Sequence, residues 1–165
     1  MTERTSRIAK RRRPQNKAFS LLELVIVVAI IAVIAAIGIP RLSRGARGAA
    51  DSAVIRDLGV LRHAIYFFAA EHGDTYPTVA DITEQLTQYT DASGDAQATK
   101  DTTHIYGPYL WRVPPLPVGV RKGATGIAAN DGPGVGWIYD ESDGTIKANT
   151  TASEKDISDK LFSTY

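Results

Sequence analysis

Three patterns of apolar and polar positions succeed one another along the chain. Leu24 to Ile39 is drawn only from Leu, Val, Ile, Ala and Gly, so no polar side interrupts it. Val54, Leu58, Leu61, Ile65 and Phe68 then recur at spacings of four, three, four and three, with Asp51, Arg56, Asp57 and Arg62 at other positions. Beyond Gly73 no long period persists, and short apolar runs alternate with Gly, Pro, Asp and Thr. The first pattern predicts a helix apolar all round, and the second an amphipathic helix with one packed side and one wet side. The third predicts short elements joined by turns.

Lengths sharpen this. Phe19 to Ile39 is twenty-one residues holding one charge, Glu23, and a bilayer core needs about 20. Phe19 to Glu71 is fifty-three residues, about 80 Å if helical throughout at 1.5 Å per residue. Gly38, Pro40, Gly45 and Gly48 crowd the junction between the two halves. Each Gly weakens a helix by about 1 kcal/mol and Pro by about 3 relative to Ala, so a kink at Pro40 is expected. Arg41, Arg44 and Arg47 follow, within reach of lipid phosphates or neighbouring acids. His72-Gly73 is a helix-ending pair, with His63 and His72 as helix surface or cap residues.

After the long helix, Val79 to Tyr89 reads as a short helix starting near Asp81, with Ile82, Leu86 and Tyr89 on one face. Thr90 to Thr103 reads as a surface loop. Seven Gly and five Pro between Gly107 and Gly136 exclude an uninterrupted helix, and Gly132-Pro133-Gly134 reads as a tight connection. Trp137-Ile138-Tyr139 and Thr145-Ile146-Lys147-Ala148 flank Asp140-Glu141-Ser142-Asp143-Gly144, a hairpin signal. The roughly ninety residues after the helix suffice for one domain.

Charge changes the picture once it is divided. Residues 1–18 hold seven of the 19 basic side chains (Arg4, Arg7, Lys10, Arg11, Arg12, Arg13, Lys17) and one of the 18 acidic ones, Glu3. Residues 19–165 are left with a formal net charge of −5, and no broad basic footprint for nucleic acid remains. Seven cations before the apolar stretch against three after it place the N-terminal side in the cytoplasm. Cysteine is absent, which excludes a disulfide framework and thiol chemistry.

Glu23 is the unusual residue. An ionised carboxylate within a membrane-grade helix costs roughly 2.5 to 3.5 kcal/mol on insertion scales, so it needs a partner. Lys17-Ala18 followed by Phe19-Ser20-Leu21-Leu22-Glu23-Leu24 resembles the class III signal of type IV pilins and pseudopilins. That family has a basic leader, a small residue, and an apolar segment opening with Phe and carrying Glu fifth; it usually has Gly where this chain has Ala18. Pro40, twenty-second from Phe19, matches a common family proline. Gly73-Asp74-Thr75-Tyr76-Pro77, with one extra residue, resembles the glycine-x-tyrosine-proline turn of major pseudopilins of type II secretion. Tyr109-Leu110 to Pro114 resembles a second stretch of theirs.

The resemblance implies an α+β, pilin-like fold: a long N-terminal helix, its first half spanning the membrane and its second half packed on a small antiparallel β-sheet head. It implies a cleaved leader at residues 1–18, a transmembrane and assembly half at 19–39, an amphipathic half at 40–72 and a periplasmic head at 73–165. A prepilin peptidase would cut between Ala18 and Phe19 and methylate the Phe19 amine. Glu23 of one helix would pair with that amine on a neighbour and set the register of a homopolymer; pairing within one chain is the alternative. Pro40 would bend the helix; extensibility supplied by the nearby glycines is the alternative reading of the junction, and the kink is favoured because Pro alone explains it. An inner-membrane platform protein, an assembly ATPase and minor pseudopilins are the implied further partners. The location would be the inner membrane, single-pass, and then a periplasmic filament.

Other readings compete. A secretory signal peptide has an apolar region of about 7 to 15 residues without an acid, which Glu23 opposes. A signal anchor carrying a periplasmic enzyme or binding domain meets the same hydropathy. A true type IV pilin of a surface fibre, serving adhesion, motility or DNA uptake, is the alternative within the family. Lys10 to Arg13 as a nucleic-acid patch or twin-arginine signal is less simple than a topology determinant. Asp140, Glu141 and Asp143 are candidate oxygen ligands for calcium, with Asp156 and Asp159 beside them, although an acidic hairpin tip is ordinarily a solvated turn. His63, His72 and His104 lack H-E-x-x-H spacing and no phosphate-cradling loop occurs, so no enzyme is expected.

Overall fold

The computed structural model describes residues 19–165, so the leader, with Ala18, lies outside the described residues, as does the side chain of Pro40. Helix α1 runs Leu21–Glu71 without interruption, Gly38, Gly45 and Gly48 included. Helix α2 (Ile82–Thr87), β1 (Tyr89–Thr90), β2 (Ala96–Gln97), β3 (Gly126–Ala128), β4 (Val135–Asp140), β5 (Thr145–Ala148) and a 3-10 turn (Phe162–Thr164) follow. The fold class is α+β. Contacts divide the chain into two compact units, one ending at Arg41 and the other running Leu42–Tyr165.

In the first unit α1 is long and apolar enough to cross a membrane. Its Val and Ile residues are only fair helix formers. In an apolar medium, however, every backbone N–H and C=O must be satisfied within the segment, which selects the helix. Almost every apolar side chain here is exposed, Leu24 at 61% and Ile31 at 58% among them.

In the second unit the repeating positions Val54, Leu58, Leu61, Ile65 and Phe68 are all at most 2% exposed, joined by Ala64. They pack with Ile82 and Leu86 of α2, Leu110, Val113 and Leu116 of the proline-rich segment, and Trp137, Tyr139 and Ile146 of the sheet. Asp57 departs from the sequence expectation. It sits four residues before Leu61, so it shares the packed face rather than the wet one, and is buried. Arg56 covers it, with Nε and Nη2 both donating to Oδ1 at 3.1 and 2.9 Å.

The larger sheet has order β3-β4-β5. The expected hairpin is β4-β5, antiparallel with Tyr139 opposite Ile146. The third strand makes the sheet mixed: β3 lies parallel to β4, with a register shift between Gly126 and Ile127. Gly136 permits this approach, since a Cβ there would lie 2.2 Å from the Ala124 carbonyl oxygen. The short helix is briefer than Val79 to Tyr89 because the chain turns extended at Gln88, and Tyr89 pairs with Gln97 in β1-β2. Thr90 to Thr103 is therefore not only loop. Two-residue strands carry too little period for a sequence to reveal.

Candidate functional site

The structure gives Glu23 a local partner. Ser20 precedes the first helical residue, and its Oγ accepts from the Leu22 N–H at 3.3 Å. Glu23 Oε2 reaches back to the Ser20 N–H at 2.9 Å. The Ser20 carbonyl accepts the first helical bond, from Leu24 N at 3.2 Å. This is a reciprocal capping box, which occupies donors that a helix start otherwise leaves open. A carboxylate in the first turn also meets the positive end of the helix dipole. The charge that hydropathy makes anomalous is placed where a helix best tolerates one. Ser20 was not singled out by sequence reasoning, although Ser-x-x-Glu before an apolar run was its signal.

Phe19 stands one residue before that box and is 89% exposed. Glu23 therefore lies one turn from the atom that a cut after Ala18 would turn into an amine. Downstream, Leu21, Leu22 and Leu24 extend the exposed apolar surface to Ile39.

The other residues singled out from sequence lie in the head. Asp140 Oδ1 accepts from Ser142 N at 3.0 Å and from its Oγ at 2.6 Å, which hold its pKa below the ordinary carboxylate value. Glu141 Oε2 accepts from Val79 N at 2.7 Å, and Asp143 Oδ1 from Thr145 N at 2.9 Å. Each serves the turn or its attachment to the chain after α1. Among the described residues no three His, Cys, Asp or Glu converge as a metal site. Asp156 accepts from Ser158 N, Lys160 N and the Tyr165 hydroxyl, the last being the main cause of its lowered pKa. Asp159 pairs with Lys155 at 3.3 Å.

Of the histidines, His63 is exposed. His72 stacks on Phe68 with centroids 3.9 Å apart, while its Nδ1 lies 2.7 Å from the Phe68 carbonyl and its Nε2 2.9 Å from that of Asp91. It closes the end of α1, and Gly73 follows at φ 63°. His104 Nδ1 lies 3.0 Å from Asp101 Oδ1. Asp101 is held well below the usual carboxylate range, first by the His104 backbone N–H and then by that of Thr103.

The Tyr76-Pro77 turn is fastened to the hairpin. Tyr139 Oη donates to the Pro77 carbonyl at 2.9 Å, and the Tyr76 ring lies against Gly144, at φ 72°. Burial, more than the nearby Glu141, raises the Tyr139 pKa well above 10.

Residues 13–39 match a family model described as the prokaryotic N-terminal methylation motif. No curated protein and no solved structure matches the chain. The matched segment takes in the last of the basic run, Phe19, the capping box and the apolar helix. It supports a type IV pilin-like precursor: membrane-anchored, processed by a prepilin peptidase, and structural in character.

Proposed function

We propose that the chain is a structural subunit of a periplasmic pseudopilus, assembled from the inner membrane to drive protein export by type II secretion. The observation that carries this reading is the methylation motif at residues 13–39 set on a helix whose apolar half holds one acid, Glu23, poised at its first turn. Cleavage after Ala18 would leave Phe19 as a methylated amine. Glu23 would then hold the Ser20 N–H with Oε2 and offer Oε1 to the amine of an adjacent subunit, so that only one axial offset pairs the charges.

The exposed apolar surface from Leu21 to Ile39 supplies the close packing that such a stack requires. The head would lie in the periplasm. A platform protein, an assembly ATPase and minor pseudopilins would complete the machine, and the chain would have no catalytic role. The Tyr76-Pro77 and Tyr109-Leu110 segments favour the pseudopilin over the fibre-forming pilin.

N-terminal mass analysis of the chain from its native membrane should find a methylated Phe19. Glu23→Ala should still be inserted and processed but should lose assembly and secretion. Normal secretion by that variant overturns the reading, and long surface fibres from the unaltered chain turn it toward a type IV pilin.

A further inference from the structure

The Leu42–Tyr165 unit carries two surfaces of opposite charge built from different residues. One is a groove of about 450 Å³ between α1 and the proline-rich segment. Ala53, Val60, Pro115 and Leu116 are among its apolar lining, and Arg56, Arg112 and Lys122 line it as well and are exposed. The acid among its lining residues, Asp57, already holds Arg56 at 2.9 Å. Three cations against one acid leave the groove positive within a unit that is otherwise acidic.

The other surface is the β4-β5 turn. Asp140, Glu141, Ser142 and Asp143 are all exposed. The turn is held firmly, through Glu141 on Val79 N and Gly144 on Tyr76. Each of its three acids spends one oxygen inside the head. Among the described residues, Asp140 Oδ2, Glu141 Oε1 and Asp143 Oδ2 accept no hydrogen bond, and all three residues are exposed, so the tip offers three carboxylate oxygens.

We propose that this tip docks into the groove of a second copy of the chain, its acids meeting Arg56, Arg112 and Lys122. The proposal rests on the homopolymer reading and deepens it. Groove and tip share no residue, so the contact is heterologous: each copy offers one and receives the other. Contacts of that kind propagate into rings or open helices rather than stopping at a symmetric pair. Opposite charge across such a contact sets the partner and its register.

The absence of cysteine permits a direct test in the full-length chain, in the membrane of a secreting host. Ser142→Cys and Val60→Cys in one chain should give, under mild oxidation, a ladder of disulfide-linked multimers of the chain with itself. Either change alone should give no ladder. Arg112→Glu with Lys122→Glu in that background should reduce the ladder by about tenfold or more.

Filaments that depend on Glu23 but yield no ladder overturn the docking and leave the proposed function standing. A ladder without filaments does the reverse, and the loss of both overturns both. Cross-links from Val60→Cys to a different protein, in place of self-linked multimers, overturn the second copy as the occupant. A ladder indifferent to charge reversal overturns the electrostatic basis of the contact.

Discussion

Residues 24–39 and 54–68 are two lengths of one helix built largely from the same apolar residue types, and they meet opposite environments. Leu24 and Ile31 are 61% and 58% exposed, whereas Leu58 and Leu61 are fully buried. The difference is pattern rather than hydrophobicity. The second length alternates apolar and charged positions at helical spacing and receives a cover from its own chain on one side. The first has no polar side, so no single fold of this small head could cover it, and its cover must be lipid or other helices.

The contrast can be broken most forcefully by truncating one leucine or isoleucine in each length. Leu58→Ala should destabilise the head by about 2 to 5 kcal/mol, through lost transfer energy and the cavity left behind. Ile31→Ala should leave its unfolding midpoint unchanged. Thermal unfolding of the full chain in detergent, followed by near-ultraviolet dichroism of buried Trp137, reads both, and equal effects would erase the distinction. Within the covered region, Tyr139→Phe strips the buried Pro77 carbonyl of its donor and should cost about 1 to 3 kcal/mol.

Acid should produce the smallest effect and confine it to the head. Asp131, Asp140 and Asp156 have lowered pKa values, caused first by Arg121, Ser142 and Tyr165 respectively. A carboxylate depressed in the folded state contributes stability above its unfolded pKa, about 3.9, and loses it as pH falls through the folded value. The unfolding midpoint should therefore be flat near neutrality and decline below about pH 4. A midpoint unchanged down to about pH 2 would remove these turns from the account of stability.

Much of this was legible in residue order. The packing face from Val54 to Phe68 follows from spacing, and the β4-β5 hairpin from strand formers flanking an Asp- and Gly-rich turn. The small strands β1 and β2 were not legible, since two residues carry no period. The parallel seat of β3 was hidden too, because it depends on the close approach that Gly136 allows. Asp57 is buried against the expectation from its charge because its register, four residues before Leu61, sets its face. At the helix start the acid stands out by its charge, whereas Ser20 is legible only through its spacing of three to Glu23.

The segment carrying Ile157 and Tyr165 is clasped to α1 at two places. The Ile157 N–H donates to Asp51 at 2.9 Å, and Arg62 Nη2 donates to the Tyr165 carbonyl. These partners stand 106 and 103 residues apart in sequence. Closing an unstructured loop of that length costs about 4 kcal/mol in chain entropy, comparable with what two such bonds return. The clasp therefore cannot nucleate folding. It forms once the sheet has already drawn the ends together, as a latch on a door that other contacts have shut.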